Sequence, residues 1–170
     1  MLSKKLTTAL SDQVNAEYYS AYIYLSMSSI ADGMGLSGIA NWLFAQAQEE
    51  MAHGTNIYQY ILERGAAPTF EAIEKPPTTF ESIRDIFDMV LSHEQKVTKR
   101  INKIATLAME EHDHACYQFM MWYVNEQVEE EASAQAIIDK LDLIGDNKGL
   151  LLGLDKELST RIFVNPFAVK

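Results

Sequence analysis

Ile83, Phe87, Val90, Glu94, Val97, Ile101 and Ala105 lie at helical spacing on one apolar face, and the residue at the centre of that face is a glutamate. A helix turns roughly 100° per residue, so positions three, four and seven apart point the same way. The other long stripes of the chain are broken similarly. One runs Leu6, Leu10, Glu17, Ala21, Tyr24; another runs Ile39, Leu43, Glu50, Ile57, Ile61, with His53 on the same side. The last runs Phe119, Trp122, Glu126, Glu130, Ile137, Leu141, flanked by Glu129 and Gln127, while Glu131 points away and is expected to face solvent. Each acid sits about midway along its segment. A fold that buries all four stripes must therefore bring several carboxylates together at one depth.

The remaining pattern predicts how the segments connect. No proline occurs between Met1 and Ala67, so long uninterrupted helices are allowed. Helices are predicted over residues 3–31, 37–64, 78–111, 113–144 and 147–158. Gly65 stops the second and Gly145 the fourth. Thr78 and Glu81 have capping-box spacing for the third, and Asp113 is placed to cap the fourth. The first and second helices, and the third and fourth, are joined by short loops and form antiparallel hairpins. Between the second and third lies "AAPTFEAIEKPPTT", long enough to run the length of a bundle at roughly 3.3–3.6 Å per residue. The chain is thus read as all-α. It is expected to form one domain over residues 1–170, a four-helix bundle with one long crossover plus a short fifth C-terminal helix.

Carboxylates converging in a core need a counter-charge. A lone buried carboxylate is costly and tends to take a proton, and several together are worse. No Lys or Arg occupies the middle of any stripe, since Lys5 and Lys140 lie near helix ends. A bound multivalent cation resolves the conflict. The donors are oxygen-rich, with one imidazole from His53 and no thiolate, a set suited to iron or manganese rather than structural zinc or copper. The acids outnumber the needs of one ion. Di-metal bundles place single glutamates on two helices and Glu-x-x-His on the other two. Here Glu17 and Glu94 are the single acids and Glu50–His53 is one Glu-x-x-His, while the fourth helix carries Gln127-x-x-Glu130 instead. Tyr24 fits either core packing or a hydrogen-bonding place beside the metals. Met51 reads as packing, and His93, His112 and His114 as surface residues. The acidic run "MEEHDHA" reads as a solvated turn, with an ion path at a subunit junction as the sharper alternative.

Composition narrows the partners. The formal net charge of -10 disfavours nucleic-acid binding and suits cations. The one cysteine, Cys116, permits no internal disulfide and fits a reducing compartment. The N-terminal "MLSKKLTTALSD" lacks the apolar core of a signal peptide, and no apolar run reaches membrane-spanning length. The expectation is a cytoplasmic protein with no membrane or nucleic-acid partner.

Taken together, "NAEYYSAYIYLSMS", "AQEEMAH", "HEQKVTKRIN", "WYVNEQVEEEASAQAIIDKL" and "LDKELST" resemble the bacterial non-haem ferritins over essentially the whole chain. The resemblance implies a homo-oligomeric cage of twenty-four subunits that takes up Fe²⁺, oxidises it with O2 or H2O2 and stores ferric mineral inside. It implies that Glu17, Glu50 and His53 hold one iron, with Glu50 bridging, and that Glu94 and Glu130 hold the second. Gln127 and Tyr24 then stand beside the pair. Glu49, Glu126 and Glu129, with Glu130 shared, resemble a third iron site. Haem-binding bacterioferritins keep a histidine where this chain has Glu130, so no haem is expected, although Met51 stands where they ligate haem. Two other readings stay open on the residues alone. One is a di-iron or di-manganese oxidase that stores nothing, and the other is a metal-free helical scaffold.

Overall fold

The computed structural model describes residues 1–168. It has five helices: α1 (Lys4–Gly33), α2 (Ser37–Glu63), α3 (Ile83–Glu110), α4 (His114–Ile144) and α5 (Lys148–Leu158), with no strand among the described residues. Four of the five predicted helices agree to within about two residues at both ends. α3 is the exception, because it starts at Ile83 rather than near Thr78. Ser82 is its cap, with the hydroxyl accepting from Asp85 N at 3.1 Å and Asp85 placing a negative charge in the first turn. Pro76, Pro77 and an exposed Thr78 remain in the extended crossover, where Ser26 Oγ holds the Pro77 carbonyl.

That crossover does run the length of the bundle. Thr69 N donates to Ser11 Oγ, Glu71 N to Asn15 Oδ1, and Ser26 Oγ to the Pro77 carbonyl. The α1 stretch from Ser11 to Ser26 is about 22 Å long at 1.5 Å per residue. The eight steps from Thr69 to Pro77 reach roughly 26–29 Å when extended, so the linker is nearly taut against α1 and returns α3 to the same end as α2.

The helix ends are tied to one another. Asp113 accepts from Cys116 N at 2.9 Å as the α4 cap and also from Arg64 Nη2 at 2.7 Å, which joins the end of α2 to the start of α4. α2 has no side-chain cap of its own at Leu36. Instead Asp155 of α5 accepts from Ile39 N at 2.8 Å, placing an acidic side chain where the first N–H groups lack helical partners. The two helices meet so closely there that only Gly38 fits. A Cβ at that position would stand 1.8 Å from the Asp155 carbonyl oxygen.

The core is divided. One apolar cluster includes Ile23, Met27, Leu43, Phe87 and Ile137 and is closed by Leu154 and Leu158 of α5. The other includes Leu6, Leu10, Ile57, Ile61, Ile101 and Met120. Burying each large aliphatic side chain is worth about 1.5–3 kcal/mol, so two such clusters clamp the four helices at both ends. Between them lies a polar layer, and Glu17, Glu50, His53, Glu94, Gln127 and Glu130 are all buried in it. The α1, α2 and α3 stripes face inward as read from sequence. The inward line of α4 is instead Cys116, Met120, Tyr123, Gln127, Glu130 and Ala134. Phe119, Trp122 and Glu126 are only half-buried on its flank, so the first half of the predicted α4 stripe was turned by about one position, while Glu130, Ile137 and Leu141 are buried as expected.

Gly38→Ala is expected to lower stability by roughly 1–3 kcal/mol, because the new methyl meets backbone that cannot rotate away. Thermal unfolding of the purified variant measures this, and an unchanged melting temperature would show that α5 shifts without cost.

Candidate metal centre

Four helices each send side chains into the polar layer. On α1, Glu17 is buried; its Oε1 accepts from Gln13 Nε2 at 2.9 Å and its Oε2 has no hydrogen-bond partner. On α2, Glu50 and His53 are one turn apart, with Nδ1 3.7 Å from a Glu50 oxygen and His53 Nε2 unpartnered. On α3, Glu94 Oε1 accepts from the Tyr24 hydroxyl at 2.5 Å and Oε2 from Gln127 Nε2 at 3.2 Å. On α4, Glu130 Oε2 accepts from Gln46 Nε2 at 2.7 Å. Donor atoms of Glu17, Glu50 and His53 lie within 4.8 Å of one another and could hold a metal ion.

The α1–α2 contact that permits this spacing depends on Gly54. A Cβ at Gly54 would lie 2.7 Å from the Tyr18 ring and 3.2 Å from Glu17 Cβ. The glycine lets the two backbones close up one residue beyond His53, at the level of the site.

Electrostatically the layer lacks a cation. No Lys or Arg is buried among the described residues. Burial pushes the Glu50 carboxyl well above its usual range, and Glu94, Glu17 and Glu130 push it further. Burial likewise raises Glu130, followed by Glu94 and Glu49, with Arg161 opposing. Glu94 is pushed up to about 7 by burial, against the hydrogen bonds from Tyr24 and Gln127. The Tyr24 hydroxyl is held well above its usual range by burial and then by Glu94, Glu130 and Glu50, so it stays a donor. Burial lowers His53 despite Glu17 and Glu49. The imidazole is therefore neutral, its contact with Glu50 is not an ion pair, and a ring nitrogen is available to a metal. Orphaned buried oxygens and an orphaned imidazole nitrogen fit a cation, and the oxygen-rich, thiolate-free set fits iron or manganese.

A second group adjoins the first. Donor atoms of Glu49, His53 and Glu126 also lie within 4.8 Å of one another, with both acids half-buried. Burial raises Glu126, followed by Glu49 and Glu129, with Arg161 opposing. Glu129 is exposed and stands outside this donor group.

Several side chains differ from the sequence reading. Glu131 is half-buried and accepts from Thr98 Oγ1 at 2.5 Å rather than facing open solvent. His93 is also half-buried, with Nε2 2.8 Å from Ser20 Oγ; burial, Lys96 and Arg100 push it down to about 4. His112 and His114 are exposed as expected. Gln13, Gln46 and Tyr123 were not singled out from sequence. Tyr123 donates to the His53 carbonyl at 3.1 Å and accepts from Asn56 Nδ2 at 2.8 Å, bracing the backbone of the imidazole. The two glutamines carried a readable signal: each stands four residues before a stripe glutamate, Gln13 before Glu17 and Gln46 before Glu50, which puts it on the inward face.

A family model described as a ferritin-like domain matches residues 7–144. A bacterial non-heme ferritin from Staphylococcus aureus (strain MRSA252) is 43% identical over 163 residues, covering 96% of this chain and 98% of its own. One from Staphylococcus haemolyticus (strain JCSC1435) is 42% identical with the same coverage. Among solved structures, a form of the Archaeoglobus fulgidus ferritin engineered to be closed superposes with a TM-score of 0.95 at 49% identity, covering 96% of this chain and all of that one. The open-pore ferritin of the same archaeon gives 0.93 at 50% identity, over 95% of this chain and 98% of the other.

The raised carboxyls predict how metal-free protein responds to pH. Groups whose carboxyl is raised by folding favour the native state while protonated, and that contribution fades as pH rises through the folded-state value. For Glu94 that value is about 7. The lowered histidines act in the opposite sense, but only below their ordinary value of 6.5. Between about pH 6.5 and 8 the metal-free protein should therefore lose stability as pH rises, and Glu94→Gln should flatten the slope. Melting temperatures in chelator-treated buffer test this, and a wild-type curve that rises over the interval would contradict it.

Proposed function

The chain belongs to the ferritin family, and on that premise we propose how its centre oxidises and passes on iron. The carrying observation is the buried, cation-free cluster of Glu17, Glu50 and His53. One Fe²⁺ binds there, with Glu50 shared by a second Fe²⁺ held by Glu94 and Glu130. Iron is the substrate. Two Fe²⁺ give up one electron each, and the pair of electrons with two protons reduces dioxygen to hydrogen peroxide, or hydrogen peroxide to water. The ferric product leaves as hydrous oxide and is stored.

Each protein group has a definite task. Gln13, Gln46 and Gln127 donate to Glu17, Glu130 and Glu94 and fix which oxygen of each faces the metals. Tyr24 does the same for the other oxygen of Glu94. Partners of this kind typically change metal affinity or activity by about 10–100-fold when removed. Metal binding also ends the mutual repulsion of the acids, so charge neutralisation favours occupation of both positions.

The same reading assigns Glu49, Glu126 and Glu129, with Glu130 shared, to a third iron site beside the pair. Residues 1–170 act as one ferritin-like di-iron domain that assembles with copies of itself, twenty-four to a cage, in the cytoplasm. No helix of the described residues is long and apolar enough to cross a membrane. Haem is not required, since Glu130 stands where haem-binding relatives carry histidine. Met51 is an exposed side chain in the isolated chain.

Glu50→Ala and His53→Ala should each slow aerobic Fe²⁺ oxidation by roughly 100-fold or more while the helical content is kept. Stopped-flow absorbance beside circular dichroism tests this, and wild-type rates in both variants would sink the assignment. Gel filtration with iron analysis after aerobic loading separates storage from its rival. Many irons per chain in a large assembly are expected. A small dimer with two metals per chain would identify a non-storing oxidase.

A further inference from the structure

The segment after α5 returns across the α2–α4 side of the bundle and meets the second donor group. Asn41 Nδ2 of α2 donates to the carbonyls of Ser159 and Arg161, at 3.2 and 2.9 Å, and fixes the start of this segment. The Arg161 guanidinium then lies 4.6 Å from the centre of the Trp42 ring, and its Nη2 donates to Glu49 Oε2 at 2.6 Å. Six residues on, Phe167 packs edge-on against Trp122 with ring centres 4.5 Å apart, and it stands 6.1 Å from His53. The segment thus touches members or neighbours of the Glu49–His53–Glu126 group at two points. Among the described residues, Arg161 is the one basic side chain paired with any acid of either donor group.

We propose that Arg161 is a built-in competitor for metal at the Glu49–His53–Glu126 group: its guanidinium holds Glu49 when that group is empty, and a metal ion must displace it to bind. The inference rests on the third-site reading above and sharpens it. The guanidinium occupies Glu49 Oε2, and its fixed positive charge beside that carboxylate opposes the arrival of a second cation. The pair is half-buried, with side chains 25% and 18% exposed, so screening does not erase it, and the hydrogen bond is charge-assisted. Stacking on Trp42 adds a cation–π contact that is also lost on displacement. The buried Glu17–Glu50–His53 group faces no such rival. The two groups are therefore ranked, with tight binding at the buried centre and weak, quickly reversed binding at the flanking one. A weak flanking site suits a place that ions pass through rather than rest in.

The test is anaerobic calorimetric titration of the assembled protein with Zn²⁺, a redox-inert probe. Wild type should show a weaker binding class beside the tighter one, and Glu126→Gln should remove the weaker class. Arg161→Gln should tighten that class about tenfold and leave the tighter class unchanged. Arg161→Lys keeps the charge but loses the stack on Trp42 and should tighten the class less than Arg161→Gln does, a graded response that separates competition from a folding defect. In a Trp122→Phe background Trp42 is the sole tryptophan, and its emission should change as the weaker class fills in wild type but not in Arg161→Gln. Loss of the weaker class in Glu126→Gln, with its affinity unmoved by Arg161→Gln, would overturn the competitor role and leave the third site standing. Persistence of the class in Glu126→Gln would overturn the third site itself, and the competitor role with it.

Discussion

The structure depends on a charge imbalance that the polypeptide does not resolve by itself. Glu17, Glu50, Glu94 and Glu130 are buried at one level of the bundle, and no Lys or Arg is buried with them among the described residues. Side-chain amides and one phenol supply hydrogen bonds to these acids but no positive charge. Without metal, burial and the neighbouring acids favour the protonated forms of Glu50 and Glu130. Binding cations exchanges those protons for metal charge, so site occupation, proton release and bundle stability are linked.

Holding such a centre requires stiffness elsewhere, and the apolar clusters on either side provide it. The taut crossover along α1, the Arg64–Asp113 pair and the Asp155 cap on α2 each fix helix ends relative to one another. Close approach at Gly38 and Gly54 sets the depth of contact. A layer of like charges between two packed clusters cannot relax by letting the helices separate, because that would expose both clusters to water. The donors are thus held near one another before any metal arrives. This favours rapid capture, since little chain ordering remains to be done.

Much of this was legible in the residues. Helical period, the scarcity of proline and the long linker led to the bundle, and interrupted stripes led to the buried acids. The α4 register was not legible, for a physical reason. Phe119, Trp122 and Glu126 make a plausible amphipathic face, yet these aromatics pack on the flank beside Tyr123 and Phe167 while Cys116, Met120 and Tyr123 face the core. Periodicity within one helix fixes its apolar side only to about one position when two adjacent lines are both apolar. The start of α3 moved because Ser82 rather than Thr78 supplies the cap, while a tertiary contact from Ser26 holds Pro77 in the crossover. Glu131 and His93 found partners on neighbouring helices, Thr98 and Ser20. Spacing along one helix carries no information about such contacts.

The tail contact was beyond local reading for the same reason, since Arg161 and Glu49 are 112 residues apart. Its significance follows from His53, which belongs to both donor groups. Glu50 and Glu49 are sequence neighbours on either side of that imidazole's reach, one buried and one half-buried. An ion moving from the deep group to the shallow one therefore need not lose all protein contact, because His53 remains within reach throughout. What opposes the move is the guanidinium already on Glu49. The same positive charge partly offsets the cost of ionising Glu126 and Glu130. Arg161 thus stands in for a cation at the outer end of the acid cluster, where the buried centre has no such substitute, and this asymmetry gives the pair of groups a direction.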